Sequence, residues 1–82
     1  MHKTFDGIQK WYHHEFTHLG WMVMAKAEGR TDKVASYKYS VYRMLTDIDE
    51  LMSAYQDPDK LRDLRVLRDN THVLYEFISA HL

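Results

Sequence analysis

An all-α fold, a three-helix antiparallel up-down-up bundle, follows from three features of the chain. Apolar residues recur three and four apart along three long stretches, the spacing of one helix face. A glycine turn at Gly29 and a proline turn at Pro58 separate those stretches. No segment alternates apolar and polar residues as a half-buried strand would, and no low-complexity tract or internal repeat is present.

The first helix is predicted over about residues 4–28. Phe5, Ile8, Tyr12, Phe16, Leu19 and Val23 share one stripe and form its expected core face. Gly7 and Gly20 lie inside this helix, where each costs about 1 kcal/mol relative to alanine. Gly20 therefore marks a close helix contact or a slight bend. Gly29 supplies a left-handed stop, and Arg30 and Thr31 make the turn. The second helix is predicted over 32–55, with Asp32 or Thr31 as N-cap. Its core stripe is Val34, Tyr37, Val41, Met44, Leu45, Ile48, Leu51, Met52 and Tyr55, while Tyr39 and Tyr42 fall outside it. Asp57 then caps a third helix over 58–81, with Pro58 at the first helical position, where a missing N–H costs nothing. Leu61, Leu64, Leu67, Thr71, Leu74, Tyr75, Ile78 and Leu82 form its main stripe. A second stripe of Val66, Val73, Phe77 and Ala80 is divided from the first by Asp63, Asn70 and His81. Three helices of about 24 residues are each about 36 Å long.

A chain of 82 residues is read as one domain, 1–82, with 45% hydrophobic residues placing it among globular rather than disordered proteins. So small a core barely outweighs the ordering cost of about 1–2 kcal/mol per residue, and a partner or self-association would help. Eleven basic against twelve acidic residues give a net charge of −1, which gives no field to draw in nucleic acid or anionic lipid. Without cysteine there is neither a disulfide framework nor a thiolate nucleophile, which fits a reducing compartment. The uncharged run from Phe16 to Ala25 falls far short of the ~20 residues of a membrane span, and no signal peptide is evident. The expectation is an intracellular, non-secreted protein that engages no membrane, nucleic acid or small-molecule substrate and carries no cofactor.

Leu19-Gly20, Gly29 and the run Asp32-Lys33-Val34-Ala35 with Tyr37 look like part of a tetratricopeptide-type hairpin, in which small residues let two antiparallel helices approach. The first helix is about two residues too long for that spacing, and no second copy follows. The layout is also similar to the three-helix microtubule-interacting-and-transport module, although no groove motif matches residue by residue. A resemblance spanning nearly the whole chain is to short three-helix proteins encoded by large DNA viruses of algae and protists. It rests on Trp11, Phe16, Leu19-Gly20-Trp21-Met22, Ala25, Lys33-Val34, Tyr37, Asp63-Leu64, Leu67, Asn70 and Val73-Leu74. That resemblance implies a compact viral accessory or structural protein, in the host cytoplasm or the virion, and brings no catalytic residue.

One motif speaks for chemistry. His14-Glu15-x-x-His18 has the spacing by which zinc peptidases place two imidazoles and a general base on one helix. A catalytic site needs a third protein ligand, and the metzincin positions are occupied by Trp21 and Met24. Glu28 and Glu50 belong to no second motif, and no strand is predicted to hold a peptide substrate. The motif is therefore read as incidental, with metal binding or zinc-dependent hydrolysis at His14 and His18 as the competing reading. Arg62, Arg65, Arg68 and Lys60 are interleaved with Asp59, Asp63, Asp69 and Glu76, the pattern of a solvated, ion-paired face rather than a phosphate site. The surplus apolar residues Trp11 and Trp21 on the first helix, with Val66, Val73 and Phe77 on the third, are the expected interface. The sequence thus predicts a non-enzymatic protein acting through protein contacts or self-assembly, with a homodimer or another protein as partner.

Overall fold

The computed structural model describes residues 4–82, among which there are four helices and no strand. These are α1 (Phe5–Thr17), α2 (Leu19–Ala27), α3 (Thr31–Ala54) and α4 (Pro58–His81). The single first helix expected over 4–28 is thereby corrected: it is two helices that meet at His18. The helical hydrogen bonds run on through the joint, from His18 N–H to the His14 carbonyl (3.1 Å) and from Met22 N–H to the His18 carbonyl (3.1 Å). The chain therefore bends there without reversing.

Side chains account for the bend. Nδ1 of His18 lies 2.8 Å from the His14 carbonyl, so that one oxygen faces two donors from the same residue. The Tyr37 hydroxyl donates to the next carbonyl, that of Glu15, at 2.5 Å. Donors inserted beside a helix ladder draw its carbonyls off axis and kink it. The joint lies at His18, two residues before the glycine that was expected to mark it.

Each end is stopped as its residues dictate. Thr4 Oγ1 accepts from Gly7 N–H (3.1 Å) and caps α1. Gly29, at φ 78, ends α2, with Arg30 N–H bonded to the Ala25 carbonyl (2.8 Å) and Gly29 N–H to that of Lys26 (3.0 Å). Arg30 holds the N-cap position of α3 without a side-chain bond, so Asp32 and Thr31, the residues expected as the cap, both lie in the first turn, where Asp32 favours the helix N-terminus by charge. Asp57 Oδ1 accepts from Asp59 N–H (3.0 Å), with Pro58 opening α4.

α3 is the central element, packed against α1, α2 and α4, and α1 also touches α4. The whole measures 45 × 22 × 17 Å. One apolar cluster joins Ile8, Met44, Ile48, Leu51, Leu64 and Leu67, and a second joins Tyr37, Val41, Leu74 and Ile78. The predicted inward stripes of the second and third helices are the buried ones. Thr71 is buried with its hydroxyl donating to the Leu67 carbonyl (2.7 Å), so it costs no unpaired donor. The first arm departs from expectation. Phe16 and Val23, predicted as core, are 55% and 48% exposed, while Glu15 and Ala25 turn inward. The face that α3 and α4 cover runs through Ile8, Glu15 and Met22, about 100° around the helix from Phe16. Asp47 is also buried, with Oδ1 unbonded and Arg43 Nη2 3.7 Å away, and nothing in the fold explains it.

Candidate functional site

The bend in the first arm opens a shallow groove of about 410 Å³ against the N-terminal half of α3, lined by His14, Glu15, His18, Ser36, Tyr37 and Ser40 among others. The His14 and His18 rings stack with centroids 4.1 Å apart. A carbonyl can only accept, so the bond from His18 Nδ1 to the His14 carbonyl puts a proton on that nitrogen. The Glu15 side chain is buried, with Oε1 3.8 Å from His14 Nε2. Burial, with the Glu15 carboxylate and Tyr12 adding to it, pushes the Tyr37 phenol up to about 12. Its hydroxyl therefore stays protonated and keeps donating to the Glu15 carbonyl. The motif residues are thus tied into the joint between α1, α2 and α3. Among the described residues, no group of three or more His, Cys, Asp or Glu side chains is placed to hold a metal ion.

A larger feature lies along the other side of the first arm. Between Trp11 and Ala25 the only charged residue is Glu15, and it is buried. The exposed surface of this stretch is therefore uncharged, and it carries Phe16, Gly20, Val23 and Met24. Apart from Lys26 in its last turn, α2 is apolar on every side, yet only Ala25 is buried, and Trp21 is 66% exposed. A helix that is hydrophobic all round ordinarily lies inside a protein or a membrane. Among the described residues nothing requires a glycine at Gly20, since a Cβ there would meet nothing within 4 Å.

The second half of this seam comes from α4. Val66, Asn70, Val73, Phe77 and Ala80 recur at alternating four- and three-residue steps and are all exposed. Two observations put the strips side by side and running the same way. Phe5, Tyr12 and His13 share a depression with Val66 and Asn70, and at the far end Lys26 Nζ donates to the His81 carbonyl (2.7 Å). From there Phe16 continues Tyr12, its ring stacked at 5.9 Å, and Val73 and Phe77 continue Val66. The α2 and α4 backbones make no close approach among the described residues, so the seam widens at that end.

The residues expected at an interface fall in different places. Val66, Val73 and Phe77 are 55%, 67% and 45% exposed on the α4 strip. Trp21 is exposed on the opposite flank of α2, beside Arg30 and Lys33. Trp11 is half-buried between α1 and α3, where Nε1–H donates to Ser40 Oγ (2.9 Å). Phe16, Gly20 and Val23 were not picked as site residues, although the charge-free run around them is visible in the sequence. On the arginine-bearing part of α4, Arg68 Nε donates to Asp49 (2.7 Å) and Arg62 lies 3.7 Å from Asp59. No protein-family model, no curated protein and no solved structure matches the chain.

Proposed function

We propose that this chain is a non-enzymatic helical protein that acts through protein–protein contacts and associates with itself. In this reading α1 and α2 act together as the first arm of an up-down-up bundle, with α3 and α4 as the other two. The observation that carries it is the seam: two apolar, exposed strips, with Asp63 the charge at one end, run side by side along the first arm and α4. Monomeric proteins rarely leave a continuous apolar patch of more than a few hundred Å² in water. The resemblance to short proteins of large DNA viruses gives the setting, an accessory or structural protein working inside the infected cell or in the virion.

The test is a pair of charges on neighbouring turns of α4. Phe77 is exposed and Leu74 is buried in the second core cluster. Phe77→Asp is expected to weaken association while circular dichroism stays helical, whereas Leu74→Asp unfolds the chain. A Phe77→Asp variant that sediments like the wild type at every concentration would refute the use of this face.

A further inference from the structure

The geometry of the seam points to a particular partner. Building on the self-association just proposed, we infer that a second copy of this chain covers the seam about a two-fold axis parallel to the helices. In that dimer α4 of each copy lies along the first arm of the other, with Phe77 seated over Gly20. Four observations lead there.

The first is area. Phe16 and Val23 with Val66, Val73 and Phe77 are each about half exposed or more. At the surface typical of such side chains they present on the order of 500 Å², about what each partner contributes to the smallest specific interfaces. A two-fold axis matches a patch to itself, so one seam suffices to cover another.

The second is Gly20. A glycine weakens a helix, and at Gly20, the second residue of α2, no neighbour among the described residues demands it, because the space beyond its Cα is open. It lies on the seam one turn beyond Phe16. The close approach that a bare backbone permits is therefore unused among the described residues and open to a second copy.

The third is level. With Lys26 bonded to the His81 carbonyl and Phe5 sharing a small cavity with Asp63, the first arm and α4 run in step. Gly20 then lies level with Phe77 to within about two residues, as Phe16 does with Val73 and Val23 with Ala80. An axis along the bundle keeps these levels when one copy is laid on the other, so the largest side chain of the α4 strip meets the hole left by the glycine.

The fourth is charge. Arg62 and Arg65 as well as Asp69 and Glu76 border the α4 strip, so its flank is charged while the strip itself is not. Laid on the first arm, the strip faces a surface whose only charged residue from Trp11 to Ala25 is buried. The same balance disfavours a lipid surface, because Lys26, Arg30 and Lys33 near the end of α2 are offset by Glu28 and Asp32.

The experiment is a size swap read by sedimentation equilibrium, with helix content followed by circular dichroism. Gly20→Leu fills the hole and is expected to weaken association at least about tenfold, while Phe77→Ala empties the knob and weakens it similarly. Combined in one chain, the two changes are expected to restore most of the wild-type association, as complementary volumes do. Should Gly20→Leu disturb the fold, Gly20→Ala, which favours the helix, replaces it with a smaller loss of association. Because the chain has no cysteine, single-cysteine variants give an independent reading. Mixed Val23→Cys and Ala80→Cys chains are expected to form the crossed disulfide in excess over either self-linked product.

A wild-type dimer that ignores the change at Gly20, or in which Val73→Cys alone links efficiently to itself, would overturn this arrangement and leave self-association standing. A wild type that stays monomeric at several hundred micromolar would overturn both. If that monomer also floated with phosphatidylserine vesicles, the seam would be assigned to a membrane surface instead.

Discussion

Leu67→Ala tests the packing of α4, and its cost can be worked from the structure. Leu67 is 6% exposed and shares a cluster with Ile8 of α1 and with Met44, Ile48 and Leu51 of α3. Truncation removes about three methyl or methylene groups, worth about 2–2.5 kcal/mol of transfer free energy. A cavity term is added, because helices from three directions cannot all collapse onto the gap. Met44 is pliable enough to fill part of it, which keeps the total to about 3–4 kcal/mol. For 82 residues the whole stability is about 4–12 kcal/mol, so the loss is a large fraction of it. The assay is urea unfolding followed by circular dichroism at low micromolar concentration, where association contributes little. Val66, the preceding residue, is 55% exposed, and Val66→Ala should change stability by less than about 0.5 kcal/mol. A loss below about 0.5 kcal/mol for Leu67→Ala, or equal losses for the two variants, would mean that α4 presents a different face to the core.

Two further outcomes concern the joint at His18. The folded Tyr37 phenol ionises near pH 12 against an ordinary value of 10.0, so folding stability should be complete below pH 10 and fall as the pH rises from 10 to 12. Tyr37→Phe should remove most of that alkaline loss while costing about 0.5–1.5 kcal/mol at neutral pH for the bond to the Glu15 carbonyl. An unchanged alkaline profile in the variant would show that another group is responsible. Glu15→Gln should leave fold and association nearly unaltered. Stoichiometric zinc in untagged protein, together with peptide hydrolysis abolished by that substitution, would establish the competing zinc-hydrolase reading.

The inward faces of α3 and α4 were legible because each helix carries one dominant apolar stripe, and no other face could be buried. The first arm was not legible in the same way. From Trp11 to Ala25 it is apolar or aromatic nearly all round, so its periodicity supports more than one face. The choice is made by long-range bonds, Trp11 to Ser40 and Tyr37 to the Glu15 carbonyl, which turn Glu15 inward and Phe16 outward. The break at His18 was hidden for the same reason: no glycine or proline causes it, and the donors that bend it come from an imidazole and from another helix. The surplus stripe on α4 could be read from spacing alone. Its counterpart on the first arm could not, because Phe16 and Val23 fit a core face equally well until the position of α3 is known.

If another copy of the chain covers the seam, the mass in solution must depend on concentration. Sedimentation equilibrium of the wild type, from low micromolar to several hundred micromolar, addresses it directly. The mass is expected to rise from 9.9 kDa and level off at twice that value. A mass that stays at 9.9 kDa across the whole range would contradict it.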